Sequence, residues 1–389
     1  MAILLLVVGI ILFIGLVVVH EYGHFIAAKR NGVEVEEFGI FFPPRLYKRR
    51  MKGGWDFTIN AIPLGGFVKL KGEHDSDTEP GTFGAASLWV KTKIMAAGVF
   101  MNLITALALL TLLALVGMPK LIDNQFTVKA DTEIVNSKIL TGYIDPKSPA
   151  SQAGLRTQDE LKSIEAAGRN PVTIKSADDL PSVTKTFAGQ TVTINYIRDG
   201  QNQQAKATLL DRKTVEASRK TDNPKGYLGI VPAEFTLQRS TWSAPVVAVG
   251  FSAQVTALTF QGLGHALAGL GSTLAGAVTG NTDARQNGQT AASEQVAGPV
   301  GIYVILKDGS LLGYQFMLLI IAIISLTLAI MNFLPIPALD GGRLWITLAT
   351  RGLNRPLSAR REEAINAAGM IVLLGLIFLI TIVDVKRFF

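Results

Sequence analysis

The sequence predicts a polytopic α-helical membrane protein: four transmembrane helices, a membrane-associated β-hairpin and an inserted α/β domain. Three observations carry that expectation. Four apolar runs, at about residues 2–26, 93–117, 312–334 and 366–384, approach or exceed the roughly 20 residues that a helix needs to cross a bilayer. The 389-residue chain is 49% hydrophobic and only 17% charged, the balance of a membrane protein with some water-exposed mass. A polar stretch at about 125–233 lies between the second and third runs and is long enough for a small core of its own.

The first run ends in His20-Glu21-Tyr22-Gly23-His24. On a helix, residues i and i+4 share a face, so both imidazoles can address one metal ion. Glu21, beside the first of them, can take a proton from water at that metal. Zinc suits the pattern because it accepts nitrogen and oxygen ligands and keeps a position open for water. Two of the chain's four histidines fall in this register. The bland alternative is a pair of histidines ending an apolar helix, and it leaves unexplained why costly ionisable groups sit in a span.

Composition narrows the chemistry. There are no cysteines, so disulfides and thiolate metal sites are excluded and any zinc must use His, Asp or Glu. The net charge of +7 comes largely from short loops beside the spans, so it reads as topology and not as nucleic-acid binding. The first run lacks a basic leading segment and carries the metal motif, so it is expected to be retained rather than cleaved.

Charge orients the spans. Between the first and second lie Lys29, Arg30, Arg45, Lys48, Arg49, Arg50, Lys52, Lys69, Lys71, Lys91 and Lys93; between the third and fourth lie Arg343, Arg351, Arg355, Arg360 and Arg361. Both segments are expected on the cytoplasmic side, with 125–233 outside; Lys386 and Arg387 run weakly against the rule. His20 and His24 then fall at the cytoplasmic end of the first span, and the stretch Asn332 to Arg343 falls at the cytoplasmic end of the third. Asp340 therefore reaches a similar depth to the histidines and can complete a His20, His24, Asp340 and water set around one Zn2+ per chain. Pro335, Pro337 and Gly341-Gly342 break helical hydrogen bonding there, as irregular backbone lining a wet cavity would. Taken alone, Asp340 reads better as an ordinary interfacial Asp-Gly turn, and the His-Glu-x-x-His motif at matching depth is what favours a ligand.

Residues 244–280 are apolar enough to resemble a span but contain Gln254, Gln261, His265 and many glycines, so one or two amphipathic helices on the outer face are expected. A fifth span here would put Asp340 on the opposite side from His20. Residues 281–297 are polar and read as a flexible linker. The predicted boundaries are 1–118 for an N-terminal membrane core, 125–233 for the inserted domain, 240–280, 281–297, and 298–389 for a C-terminal membrane core. In the first cytoplasmic segment Phe57, Ile59 and Ala61 alternate with polar residues, Gly65-Gly66 interrupts, and Phe67-Val68-Lys69-Leu70 resumes a strand pattern. An exposed edge there could pair with an unwound substrate backbone, or the hairpin could be merely solvated.

In the inserted segment, strands are expected at 138–144, 190–198, 204–210 and 227–231, and helices at 148–153 and 176–187. Ser148 to Leu155 reads SPASQAGL and looks like a signature of bacterial PDZ domains. Gly226-Tyr227-Leu228-Gly229-Ile230 resembles their carboxylate-binding loop, placed last as in circularly permuted versions. Successive backbone N–H groups in such a loop can hold a peptide terminus. Thr157-Gln158-Asp159 stands where Gly-Asp is usual. A β-rich spacer or size filter is the alternative.

With these residues in hand, the chain resembles the site-2 protease family of intramembrane zinc metalloproteases, in particular the bacterial branch with a periplasmic PDZ domain that degrades anti-sigma factors. The resemblance runs through HEYGH, IPLGGFVKLKGE, the PDZ-like segment, Gly298-Pro299-Val300-Gly301-Ile302 and NFLPIPALDGGR. It implies that His20, His24 and Asp340 bind zinc and that Glu21 activates water. It implies that Asn332 and Pro335 engage or unwind substrate, and that Gly66, Phe67, Val68, Lys69 and Leu70 hold it by strand addition. Substrates would be single-span membrane proteins such as anti-sigma factors or signal-peptide remnants, cut in the bacterial cytoplasmic membrane near its inner face. One departure is Gly98-Val99-Phe100-Met101-Asn102, where the family usually has Gly-Pro before the Asn. Two rival readings are a catalytically silent PDZ adaptor and a metal transporter. The intact His, Glu, His and Asp set argues against the first, and the lack of a repeat between the halves against the second.

Overall fold

The computed structural model describes residues 2–74, 76–198, 200–219, 221, 224–283, 287, 298–353 and 357–388. The chain divides into two units, 1–113 with 244–389, and 114–243.

The first unit opens with α1 (Ala2–Arg30), about 43 Å of helix and apolar until its metal motif. It is followed by β1 (Val35–Arg50), β2 (Asp56–Leu70) and α2 (Leu88–Val116). The β elements form more than the plain hairpin that alternation suggests. The first half of β1 lies between the two halves of β2: Phe38 pairs with both Val68 and Phe57, and Gly39 with both Phe67 and Thr58. The second half of β1, Arg45 to Arg50, pairs with Asn60 back to Asp56. Phe41, at φ 67, and Pro43-Pro44 turn the chain between these halves. Four short strand segments thus make a curled sheet, with Gly66–Leu70 along one edge. Arg45 and Thr58 both hydrogen-bond Glu37, and Asn60 donates to the Ile40 and Phe41 carbonyls, satisfying the polar groups inside the curl.

The second unit contains β3 (Met118–Pro119), β4 (Glu133–Ile144), α3 (Pro149–Gln152), β5 (Glu160–Ala166), β6 (Val172–Thr173), α4 (Asp179–Thr186), β7 (Thr191–Arg198), β8 (Gln201–Thr208), α5 (Arg212–Ser218) and β9 (Ile230–Arg239). Its seven strands run β3-β9-β4-β5-β7-β8, with β6 on β5, all pairs antiparallel. Alternate residues of β7, Val192, Ile194 and Tyr196, point into a core with Ile139, Leu161, Ile164, Phe187 and Leu228. The chain enters and leaves on neighbouring strands, and the Asp131 carboxylate joins the two ends by accepting from the backbone N–H groups of Thr241 and Ser243. β3, β5, β6 and α5 lie outside the sequence-predicted elements.

The first unit then resumes with α6 (Ala244–Thr279), α7 (Pro299–Leu311), α8 (Tyr314–Phe333), α9 (Asp340–Gly352) and α10 (Ala359–Phe388). Residues 244–279 are one continuous helix of 36 residues. Among the described residues five helices, α1, α2, α6, α8 and α10, are long and apolar enough to cross a membrane by length and composition, and the four expected spans are among them. The hydroxyls of α6 add little to the polarity that Gln254, Gln261 and His265 give it. Thr256, Thr259, Ser272 and Thr273 each donate to the carbonyl four residues earlier, which hides their own polarity within the helix. Most of the predicted linker 281–297 lies outside the described residues. Helix α7 packs against α1, α8 and α10, and the buried Asp384 of α10 caps it by accepting from the N–H groups of Gly298 and Gly301. Apolar side chains such as Ile3, Leu4 and Ile11 on α1 and Ile371, Val372 and Phe378 on α10 face outward, as lipid contact requires.

The Thr157-Gln158-Asp159 turn has a visible cost. Gln158 adopts φ 70, a left-handed conformation that a side chain disfavours by about 1–2 kcal/mol. Gln158→Gly is expected to leave the second unit as stable as the parent or up to about 1 kcal/mol more stable, and Gln158→Val to destabilise it by about 1–2 kcal/mol. Amide hydrogen exchange of β5 and β7 in the two variants checks this, and equal protection in both would refute it.

Candidate metal centre

Three side chains from α1 and α9 converge. His20 Nε2 lies 2.8 Å from Asp340 Oδ2, His24 Nε2 lies 3.1 Å from the same oxygen, and the two imidazole nitrogens are 3.2 Å apart. Ligands on a tetrahedral zinc with bonds of about 2.0–2.1 Å stand about 3.3 Å from one another. The donors are thus grouped at near-ligand spacing, and they are the one His/Asp/Glu cluster of this kind among the described residues. The histidines share a face of α1 because they are four residues apart. Asp340 opens α9, after Pro335 and Pro337 have ended α8 and Ala338 has taken φ 74. Gly341 lets this turn close, since a Cβ there would lie 2.3 Å from the Leu334 carbonyl oxygen.

Helix α2 is shaped around the same point. A Cβ on Gly98 would stand 2.4 Å from His24 Nε2 and 2.6 Å from His20 Nε2, so the space where the nitrogens converge exists only because residue 98 has no side chain. Gly23 is its counterpart on α1, where a Cβ would meet the Ala97 carbonyl oxygen at 2.6 Å. Val99, in place of the family's proline, leaves α2 unbroken through this region. Behind the rings, His24 Nδ1 donates to the Ile94 carbonyl at 2.8 Å, leaving the Nε2 lone pair for a metal. His20 Nδ1 faces the Asn102 carboxamide, and Ser325 of α8 donates to the Asn102 backbone carbonyl at 2.8 Å. Nitrogen and carboxylate donors, hydrogen-bonded imidazoles and a cleared approach fit Zn2+.

The sequence-predicted residues divide by position. Glu21, Gly66, Phe67, Val68 and Leu70 line one cavity together with His24 and Asp340. Gly66 leaves room for Glu21 to lie against the strand, where a Cβ on Gly66 would stand 3.1 Å from the Glu21 side chain. Lys69 points elsewhere: its ammonium pairs with Glu36 at 2.8 Å, which holds its pKa above the usual lysine value. Asn332 and Pro335 lie at the end of α8 and just beyond it and are not among the residues lining that cavity. In the second unit, Ser148-Pro149-Ala150 and Gly226-Tyr227-Leu228-Gly229-Ile230 are brought together: Ala150 N–H donates to the Leu228 carbonyl at 3.1 Å, and Gly229, at φ 77, packs on the Ser148 side chain. The side chains of Tyr227 and Leu228 are buried.

Sequence reasoning passed over Glu73 and Arg343. Both line the cavity, and the Arg343 guanidinium donates to the Glu73 carbonyl at 3.0 Å beside the Phe83 ring. The available signal was Arg343's place three residues after Asp340, on the same side of α9. Asn102 announces itself more plainly, as a lone carboxamide within an apolar run.

The chain matches the family model described as Peptidase family M50 over residues 8–376. It is 28% identical over 380 residues to a protein of Clostridium perfringens named as a zinc metalloprotease, covering 98% of each chain. It is 27% identical over 380 residues to one of Campylobacter jejuni with the same designation, covering 96% of this chain and 90% of the other. A protein of Enterococcus faecalis named as a protease is 23% identical over 455 residues, with 98% of each chain covered.

Two substitutions test the geometry by zinc content of the purified protein. Asp340→Asn removes the anionic donor and Gly98→Val places a side chain against both ring nitrogens. Each is expected to lower zinc affinity by at least about 10-fold. Parent-like zinc in Asp340→Asn would remove Asp340 from the ligand set.

Proposed function

The chain belongs to peptidase family M50 and is a zinc metalloprotease, and from that premise we propose that it is a site-2-type intramembrane endopeptidase that cuts transmembrane segments of single-span membrane proteins. The observation that carries this reading is the meeting of His20, His24 and Asp340 within 3.2 Å at the end of an apolar helix, beside a strand edge. In this reading those three residues hold the ion. Bound zinc supplies Lewis acidity, polarising a peptide carbonyl and lowering the pKa of water. Glu21 takes the proton from that water and returns it to the departing amine nitrogen.

The substrate must present an unwound backbone, because a helical peptide bond is shielded by its own hydrogen bonds. The Gly66–Leu70 edge holds that backbone by strand addition, with Gly66, Phe67, Val68 and Leu70 facing the cavity and Lys69 facing away. Asn332 and Pro335 receive the segment as it unwinds. Substrates of this class include anti-sigma factors and signal-peptide remnants.

We further assign four spans, α1, α2, α8 and α10, in the bacterial cytoplasmic membrane, with the metal centre near the cytoplasmic side. Helices α1 and α8 both run toward that centre, so they cross in the same direction. If α6 also crossed, the chain would have to return before α8, and among the described residues between them α7 has only 13 residues, which reach about 20 Å against a hydrocarbon core of about 30 Å. Helix α6 is therefore assigned to the outer face. The 114–243 unit is assigned as a PDZ-like extracytoplasmic domain whose Gly226–Ile230 loop takes peptide termini.

The test is cleavage of a single-span reporter in bilayers by the parent, by Glu21→Gln and by the parent treated with a zinc chelator. Glu21→Gln is expected to keep its zinc and to lose about 10²–10⁴-fold in rate. A variant cutting as fast as the parent would remove Glu21 from the mechanism, and cleavage that survives zinc removal would defeat the reading as a whole.

A further inference from the structure

Asn102 lies in the middle of α2 and is 1% exposed. Its Nδ2 stands 3.3 Å from His20 Nδ1, while its Oδ1 is buried with no hydrogen-bond partner. Both facts need a cause. A carboxamide nitrogen only donates, so this contact is a hydrogen bond only if Nδ1 is bare and the ring proton sits on Nε2. A ring in that form has no Nε2 lone pair to offer a metal.

Zinc held through His20 Nε2 requires the proton on Nδ1, where it would meet the Asn102 N–H groups head-on. The two ends of a carboxamide have the same shape, so turning the group over moves no neighbouring atom. Oδ1 then accepts the Nδ1 proton. One amide end lacks a partner in either orientation, and the turn decides only which end faces the ring. The neighbouring ligand supplies the precedent, since behind His24 Nδ1 lies the Ile94 carbonyl oxygen at 2.8 Å. Ligating imidazoles need such an oxygen to fix their tautomer and direction. For His20, the Asn102 carboxamide is the group in that place. Ser325, 0% exposed, donates to the Asn102 backbone carbonyl and holds this point of α2 from α8.

Building on the zinc-protease reading above, we propose that Asn102 is a positioning residue for the metal centre. Its Oδ1 accepts the Nδ1 proton of His20 and fixes the tautomer that leaves Nε2 for zinc.

The experiment measures zinc affinity of the purified full-length chain by chelator competition. Asn102→Leu keeps the volume but offers no acceptor, and is expected to bind zinc about 10–100-fold more weakly. Asn102→Asp offers only acceptors and is expected to stay within a few-fold of the parent. Parent-like affinity in Asn102→Leu, or a loss in Asn102→Asp equal to that in Asn102→Leu, overturns the proposal. If the buried carboxylate of Asn102→Asp prevents folding, nitrogen-15 spectra of the zinc-loaded parent decide. A protonated His20 Nδ1 coupled across the hydrogen bond to the Asn102 side-chain carbonyl carbon is the expected signature, and its absence overturns the assignment. Cleavage is not the readout, so the two readings fail separately. A parent that binds no zinc sinks the protease reading, whereas equal affinity in parent and Asn102→Leu sinks only the role of Asn102.

Discussion

The convergence of His20, His24 and Asp340 is the constraint around which the membrane unit is organised. Asp340 Oδ2 lies within 3.1 Å of two ring nitrogens on a different helix. A carboxylate and two imidazoles are expensive to place in an apolar setting unless each is partnered. The surrounding structure supplies those partners or clears the way for them. Gly23 and Gly98 bring α1 and α2 into close contact, the Ile94 carbonyl faces His24, and the irregular Leu334–Leu339 segment delivers Asp340 at the start of α9.

How much of this the sequence discloses depends on the distance over which each feature is determined. His20, Glu21 and His24 are legible because helical periodicity is local. Asp340 is legible because charge-based topology puts it at the histidines' depth. The curled sheet is not legible. Alternation locates the strands, but the insertion of the first half of β1 between the halves of β2 is a pairing choice made across about 30 residues, and no local pattern encodes it. Nor does composition say whether residues 244–279 make one helix or two, since Gln254, Gln261, His265 and the glycines all fall within one unbroken helix. β5 goes unseen since its short run, ELKSIEA, alternates weakly and its burial comes from neighbours on both sides.

Edge and cavity meet at Glu21. The segment 66–70 shares one side with 35–40 and has Glu21 packed beside Gly66. An unpaired strand edge is a hazard in an exposed sheet. Here the Glu21 side chain of α1 lies against part of it.

Asp384 bears on how such a chain can be made. Helix α7 packs on α1, yet its first turn is capped by a carboxylate 86 residues later, on α10. During synthesis α7 emerges with its leading N–H groups unmatched, and they stay so until the ribosome has finished most of α10. Asp340 likewise arrives 320 residues after His20. The early helices can thus be laid down before the third donor of the candidate metal site exists. Assembly order therefore sets when the His20, His24 and Asp340 donors are first complete.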